Sequence, residues 1–509
     1  MQKTLAILEV SRKQDYIFKS KHLKENAEAS AEIAYVTGNA FFEKAVDQRL
    51  YSKKENYVYS GGGHTVLQFE TREQARKFVE QITEAAMRTF DGMEIFAKLM
   101  DFDMEEVTEK SPGAIFKRLS EELERKKARR KEAFRYTAFG LEALDGENYK
   151  PEPEKAEQKA SLGLKIVSEP EGWKFPKNFE DLVYRTKDTD TEDDNFLAVI
   201  HIDGNAMGAR VEAIYEKEKH SWESCCESLR VFSEKIQKDF EDAFQEMVGE
   251  LLKEDLSSDI LPIRPVILAG DDVCFVTAGS IGIECARIFL EKLSKKQINQ
   301  EPYAACAGVA IVHRKYPFHL AYDLAEALCS NAKKFGASFD EKSRISAIDW
   351  HIEFGQLKNT LEEIREDYRT EDGNHLEMRP MVVVKPAECQ VDDIHDYDFF
   401  RTMCRILKEN KEDIARSKMK EWRTALKQGE VETRFFIHDR QIANILYAGF
   451  DARYRKKEEK EQRYMKILKG EGSIIEEPFY TYQGEKHNVF FDAIEMMDHV
   501  VFFEGEGSV

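Results

Sequence analysis

Three carboxylates stand where chemistry is possible. Asp203 closes the apolar run Phe196-Leu197-Ala198-Val199-Ile200-His201-Ile202. Asp271 and Asp272 lie in Ala269-Gly270-Asp271-Asp272, between Pro265-Val266-Ile267-Leu268 and Val273-Cys274-Phe275-Val276. A strand ending in an acid and a hairpin carrying two acids at its tip bring all three together if the elements lie side by side. Mg²⁺ takes oxygen ligands, commonly one or two carboxylates plus phosphate oxygens. Two such ions activate an attacking hydroxyl and neutralise a leaving pyrophosphate. Without a cation, clustered carboxylates repel one another. Gly-Asp-Asp alone is a weak signal, because Gly and Asp are ordinary turn residues. The run Gly204-Asn205-Ala206-Met207-Gly208 strengthens it: small residues after a strand-end acid leave backbone N–H groups open to phosphates. Lys333, late on the helix after the following strand, can reach a triphosphate; a solvated helix lysine is the plain alternative. His201 and His319 read as packed or solvated, and no His pair stands at a metal-ligand spacing. Trp422 and Tyr482 could stack on bases but read as core.

The elements that must position these residues repeat. Leu5-Ala6-Ile7-Leu8 is a short apolar strand, and 14–46 is helix-rich. Tyr57-Val58-Tyr59 and Thr65-Val66-Leu67-Gln68-Phe69 are strand-prone around the tight turn Ser60-Gly61-Gly62-Gly63-His64. A helix opening at Thr71 or Arg72 carries Ala75, Phe78, Val79 and Ile82 at helical spacing, and 93–100 is a further strand. The order β-α-β-turn-β-α-β returns in strand 196–203, a long helical stretch to about Leu252, and the hairpin around Gly270. Helix 283–295, strand 303–312, helix 317–335 and strand 345–348 complete it. In the 317–335 helix Leu320, Leu324, Ala327 and Leu328 form one apolar stripe. Two such units predict a duplicated split β-α-β fold, an antiparallel sheet with helices packed on one face.

Between the units, 119–135 reads as a charged helix with Arg125, Lys126, Lys127, Arg129, Arg130 and Lys131, while 143–160 and 186–194 read as loops. The stretch 397–426 is helical, with Phe400, Met403, Cys404 and Leu407 on one face and Arg416, Lys418, Lys420, Arg423 and Lys427 late in it or just beyond. The 509 residues, 42% hydrophobic and 34% charged, suit about three folded domains rather than a disordered chain. The formal charge of −20 argues against a protein that coats DNA or an anionic membrane with its whole surface. The longest apolar run, 303–312, is too short for a membrane span, and no secretory signal opens the chain, so a cytoplasmic protein is expected. Eight cysteines without a C-x-x-C pair argue against a disulfide framework or a zinc ribbon, and Cys274, Cys306 and Cys329, set among apolar residues, read as buried thiols.

These motifs together resemble the large palm-domain polymerase/cyclase subunit of type III CRISPR effector complexes. Gln14-Asp15-Tyr16-Ile17-Phe18, Leu23-Lys24-Glu25 and Ala29-Ser30 are similar to that family's opening motif, and Ser60-Gly61-Gly62-Gly63-His64 to its metal-free glycine turn. Asp203-Gly204-Asn205-Ala206-Met207-Gly208 and Ala269-Gly270-Asp271-Asp272 resemble its D-G-D-N-M-G and G-G-D-D. The resemblance implies an α+β chain of two ferredoxin-like palm domains with helical linking and C-terminal domains. The implied boundaries are 1–110 for a degenerate first palm, 111–190 for the linking domain, 191–350 for the catalytic palm and 351–509 for the helical tail.

It further implies a nucleotidyltransferase in antiviral defence that converts ATP, with Mg²⁺ or Mn²⁺, to cyclic oligoadenylates or other adenylate conjugates when target RNA binds. Asp203, Asp271 and Asp272 would be catalytic and hold the metals. Gly204, Asn205, Met207, Gly208, Gly270 and Lys333 would bind the triphosphate, and Gly61, Gly62, Gly63 and His64 a second ATP. Guide RNA, target RNA and other effector subunits are the implied partners. Ala269 and Asn205 depart from the pattern, and they favour the alternative of a weak or silent scaffold. The family's N-terminal His-Asp nuclease domain and its cysteine cluster are not found, so no DNA cleavage is expected; a stand-alone signalling synthase fits the short chain.

Overall fold

In the computed structural model the described residues are 2–129, 162–186, 195–355, 360–410, 416–442, 444–446, 448–449, 463–464, 466–468 and 478–503. Most of the two expected loops and the end of the charged helix, with Arg130 and Lys131, lie outside them. The chain forms two compact units. The first comprises Met1–Pro170, Ala206–Glu241 and Pro265–Val273; the second comprises Glu171–Asn205, Asp242–Arg264 and Cys274–Val509.

The first unit starts with β1 (Gln2–Ser11), α1 (Lys13–Ile17), α2 (Leu23–Val36), α3 (Asn39–Ala45) and α4 (Lys53–Asn56). It continues with β2 (Tyr57–Gly61), β3 (His64–Phe69), α5 (Arg72–Thr89), β4 (Glu94–Asp103) and α6 (Met104–Ala128). The helix-rich stretch after β1 is thus three helices, broken around Ser20 and at Thr37-Gly38. The sheet runs β2-β3-β1-β4, and β1 is antiparallel to both neighbours, with Ile7 opposite Val66 and Lys98. This is the strand order of a split β-α-β unit. Thr71 caps α5 by accepting from the Gln74 N–H, and Ala75, Phe78, Ile82 and Ala86 are its buried stripe. A capping box of Asp103 and Glu106 opens α6, which breaks at Ser111 (φ 68°). Pro112 lacks an N–H and bars the preceding residue from helical geometry. Two further helices, α7 (Met207–Lys217) and α8 (Trp222–Leu251), supply Ala206–Glu241 of this unit. Trp222 is buried against Phe102 and Phe116, with ring centroids 4.6 and 5.0 Å away.

The second unit holds β5 (Phe196–Gly204) and most of a six-stranded sheet. The strands β6 (Ile263–Ala269), which falls mostly in the first unit, and β7 (Asp272–Ala278), mostly in the second, belong to the same sheet. The second unit adds α9 (Gly282–Ser294), the ribbon β8 (Gln297–Ile298) and β9 (Glu301–Pro302), β10 (Ala305–His313), α10 (Phe318–Phe339), β11 (Ser346–Glu353), α11 (Leu361–Glu366) and β12 (Met381–Val384). The sheet order is β12-β11-β10-β5-β7-β6. Its last four strands repeat the order of the first sheet, as the duplicated pattern predicts. Beyond them, β11 adds in parallel to β10, and β12, from the C-terminal region, adds to β11. Residues 197–202 and 305–312 are buried throughout, so these strands read as apolar runs rather than alternations.

Helices α12 (Tyr397–Glu409), α13 (Arg416–Gln428) and α14 (Glu430–Asp439), the hairpin β13 (Phe479–Tyr482) and β14 (Glu485–Asn488), and α15 (Phe491–Met496) complete this unit. The expected single helix 397–426 is two helices. A buried ion cluster ties this region together: the Arg379 guanidinium lies 3.2 Å from Asp492 and 2.6 Å from Glu495, with all three side chains at 3% exposure or less. The eight cysteines are buried free thiols, as the apolar surroundings of Cys274, Cys306 and Cys329 predict for those three. No helix among the described residues is long and apolar enough to cross a membrane.

Candidate active site

In the second unit, β5 carries Asp203 to the end of the sheet. Asp203 stands opposite Cys306 and Gly204 opposite Ala305 on β10. Helix α10 packs along this strand pair, and glycine makes the approach possible: a Cβ on Gly308 would sit 2.0 Å from the Ala325 carbonyl oxygen. One consequence is the position of Lys333. Its ammonium donates to Asp203 Oδ2 at 2.5 Å and to the Gly204 carbonyl at 2.9 Å. Lys333 is therefore not a solvated helix lysine. Asp203 keeps a side-chain exposure of 39%, so its carboxylate is paired yet open to a further ligand.

Asn205 is directed inward. It is 6% exposed, its amide donates to the Ile345 carbonyl at 2.8 Å, and its backbone N–H donates to the Ala304 carbonyl. An acid here would set a carboxylate against a carbonyl oxygen, so this backbone needs a donor at 205. His201 is buried edge-on to Tyr322, with centroids 5.4 Å apart, and burial lowers its pKa. It is a packed histidine, and His319 is exposed. Trp422 is buried, against Phe490. Tyr482 packs edge-on to His395.

In the first unit, the Gly270-Asp271-Asp272 tip is clamped by a residue that sequence reasoning missed. Gln237 on α8 accepts from the Gly270 N–H at 2.7 Å and donates to the Leu268 carbonyl at 3.0 Å. Gly270 has φ 73°, with open space where a Cβ would be, so glycine serves backbone conformation here. Ala269 ends β6 before this turn and carries none of the positive φ. Asp271 and Asp272 are half-buried. Ala206, with φ 57°, turns the chain into α7, a left-handed conformation costly for a residue with a Cβ. Met207 and Gly208 form the first turn of α7, and Gly208 faces open space. The structure thus joins Asp203, Gly204 and Lys333 in one unit, and Gly270, Asp271 and Asp272 with Gln237 in the other.

The first unit's own glycine turn has different chemistry. Gly61 pairs with His64 across the hairpin, and Gly62 and Gly63 take φ 55° and 76°, the backbone of a type I′ turn. A Cβ on Gly63 would lie 3.0 Å from Ile33 and 3.2 Å from the Lys13 side chain. The Lys13 ammonium donates to the Gly62 carbonyl. Desolvation and the nearby Lys13 charge hold the His64 pKa down to about 4, so the imidazole is neutral at pH 7. A lysine and a neutral histidine stand here in place of an acid pair. The opening motif builds their support: Tyr16 is buried and donates to Glu32, beside buried Ile17, Leu23 and Ala29. Lys13, just ahead of that motif, carries no spacing that marks it. The charged faces are partly spent: Lys127 pairs with Glu9 and Glu124.

Two sheets of the split β-α-β order, one with acids at its strand end and hairpin tip, define an α+β palm-domain protein. Residues 196–342 match the family model described as Cas10/Cmr2, second palm domain. That segment is similar to such a domain, and the family match is confined to it. No curated protein matches the sequence. Among solved structures, a Csm1-Csm4 cassette in complex with cA4 matches with TM-score 0.54 at 13% identity, over 97% of this chain and 69% of that one. A Csm1-Csm4 cassette in complex with pppApApA gives 0.54 at 14%, over 98% and 69%. Csm1 in T.onnurineus gives 0.50 at 16%, over 86% and 64%. At such identities the likeness is one of fold, and the chain spans between 56% and 70% of the solved chains it matches.

Proposed function

We propose that this protein is a metal-dependent nucleotidyltransferase that converts ATP to a cyclic oligoadenylate or related adenylate messenger, as the large subunit of a type III CRISPR-like effector. The observation that carries the reading is the Cas10/Cmr2 match, which spans Asp203, Asp271, Asp272 and Lys333 in one segment. The solved cassettes that share its fold hold cA4 and pppApApA, ligands of the class proposed here.

The donor set fits a hard divalent cation, since all three side chains are carboxylates and Asp203 is partly exposed. Asp203, Asp271 and Asp272 would hold Mg²⁺ or Mn²⁺, which when bound supplies charge neutralisation at the phosphates. In the reaction the 3′-hydroxyl of one ATP attacks the α-phosphorus of another; the P–O bond to pyrophosphate breaks and the hydroxyl proton is lost. Lys333 acts as a fixed cation beside Asp203, aimed at the leaving phosphates. The backbone N–H groups of Gly204 and of Ala206 to Gly208 bind phosphate oxygens; Asn205, whose N–H and amide are spent on the Ala304 and Ile345 carbonyls, shapes this loop instead of binding phosphate, and Gly270 sets the acid turn. Gly61, Gly62, Gly63 and His64, with Lys13 beneath, bind the second ATP without a metal. Such catalysis is mainly positioning and charge stabilisation. Guide RNA, target RNA and further effector subunits are the proposed partners.

The test is incubation of the purified protein with labelled ATP and Mn²⁺ or Mg²⁺, with and without partner subunits and RNA, and mass spectrometry of the products. Asp271→Ala/Asp272→Ala and Asp203→Asn should each abolish product. Equal background in the parent and these variants would establish the silent scaffold instead. Full activity without RNA would mark a stand-alone synthase.

A further inference from the structure

The hairpin β13–β14 turns at Gln483-Gly484, both at positive φ, and places Glu485 and His487 two residues apart, hence on one face of β14. His375 lies beside them as a third strand position. Its N–H donates to the Lys486 carbonyl and its carbonyl accepts from the Asn488 N–H, both at 2.8 Å. The imidazoles of His375 and His487 stack, with centroids 4.4 Å apart and planes 8° from parallel. His375 Nε2 meets the Glu485 carboxylate. One donor atom from each of the three residues lies within 4.8 Å of the other two.

The remaining ring nitrogens face a single residue. His487 Nδ1 lies 2.9 Å from the Glu377 carbonyl, so it carries the proton and leaves the Nε2 lone pair outward. His375 Nδ1 lies 3.7 Å from the Glu377 carboxylate. Glu377 is 8% exposed, and its other carboxylate oxygen is buried without a hydrogen-bond partner. In metal sites a ligating histidine commonly directs its second nitrogen to a carbonyl or carboxylate, which fixes tautomer and ring. The His487 ring has that support, and the Glu377 carboxylate stands 3.7 Å from the second nitrogen of His375, in place to supply it. Two imidazoles and a carboxylate suit a borderline-soft ion such as Zn²⁺, not Mg²⁺.

We propose that His375, Glu485 and His487 form a Zn²⁺ site that clips the β13–β14 hairpin to the preceding 368–379 segment, with water in the fourth position. Bonds of about 2.0–2.2 Å place tetrahedral ligands roughly 3.3 Å apart. The side chains close by rotation, and the two ring planes open as they turn toward the ion. The charges of Glu485 and buried Glu377 offset that of the ion. Sequence offered no sign of this, because 110 residues separate His375 from Glu485. The site is independent of the nucleotide chemistry proposed above.

The experiment uses the full chain carrying Asp271→Ala/Asp272→Ala, to remove the acid turn as a zinc ligand. The chelator-treated protein is dialysed against Zn²⁺ and its metal content measured, and Co²⁺ is added separately for its visible spectrum. The parent should retain one equivalent of Zn²⁺ that His375→Gln/His487→Gln lacks, show tetrahedral Co²⁺ bands, and melt at a higher temperature with zinc. Glu485→Ala, at an exposed position, removes a ligand at the small folding cost of one exposed ion pair and should bind at least 10-fold more weakly. Glu377→Gln keeps all three ligands and should bind about 10–100-fold more weakly. Equal zinc content in the parent and the double histidine variant overturns the site, as does unchanged affinity in Glu485→Ala.

Discussion

At the scale of single residues, the departure at 205 has a structural cause. The Asn205 amide donates to the Ile345 carbonyl from a buried position, a contact that an aspartate cannot make. Asn205→Asp should therefore destabilise the protein by about 1–3 kcal/mol, the cost of a buried acceptor left without a donor, and should not raise nucleotide turnover. Urea unfolding at pH 7.5 and the labelled-ATP assay read the two effects separately. Lys333 carries the opposite lesson. Lys333→Met removes the cation shared by Asp203 and the Gly204 carbonyl. If that cation stabilises charge developing on the phosphates, the expected loss is about 10²–10³-fold in kcat, with Lys333→Arg recovering part of it. A fall confined to KM would reduce Lys333 to ground-state binding.

At the scale of elements, the position of Lys333 depends on how closely α10 lies against β10. Gly308→Ala would put a methyl carbon 2.0 Å from the Ala325 carbonyl oxygen and 2.4 Å from the Cys329 nitrogen. The helix must move, at a cost of about 1–3 kcal/mol or more, and Lys333 moves with it. Gly336→Ala, on the same helix, meets Ile345 at an ordinary 3.5 Å and should hold or raise the melting temperature, since alanine favours helix over glycine. A Gly308→Ala protein as stable as Gly336→Ala would show that the contact relaxes freely. These elements were legible in the sequence to different degrees. Apolar runs marked β5 and β10, and the 3.6-residue period marked α5 and α10, because one periodic property decides each. The joins were not legible. Gln237 sits in a long helix without a distinguishing pattern, yet its amide holds both sides of the acid turn. Strand β12 follows a cis-proline segment far from its partner β11, and pairing at that distance leaves no local signal. The acids themselves stood out because strand ends and turns seldom carry carboxylates in such a set, while Lys13 was one lysine among many.

Across the whole molecule, buried histidines set a common response to acid. His395 is 3% exposed, lies between Phe335 and Tyr482 with ring centroids at 4.6 and 4.8 Å, and has its Nδ1 3.1 Å from the Pro380 carbonyl. Its Nε2 is buried without a hydrogen-bond partner, so a proton added there meets no acceptor. Burial holds its pKa down to about 4, and that of His64 likewise; the pKa values of His201 and His351 are lowered too. A histidine whose folded pKa lies below its unfolded value near 6.5 favours folding in its neutral form. Its contribution is complete above about pH 6.5 and is lost as pH falls toward about 4. For His395 alone the loss at pH 5 is about 2 kcal/mol. The chain's formal charge of −20 opposes this trend, because self-repulsion relaxes as pH drops toward the sequence pI of 5.3. The raw pH profile therefore mixes two effects, and a comparison separates them. His395→Gln keeps a donor for the Pro380 carbonyl and removes the titrating ring, while changing the charge at pH 7 not at all. Its stability relative to the parent, from urea unfolding at pH 7.5, 6 and 5, should improve steadily as pH falls, by about 2 kcal/mol at pH 5. A constant offset between the two proteins across that range would mean that His395 stays neutral in the unfolded chain as well, or that acid opens its pocket before the ring takes a proton.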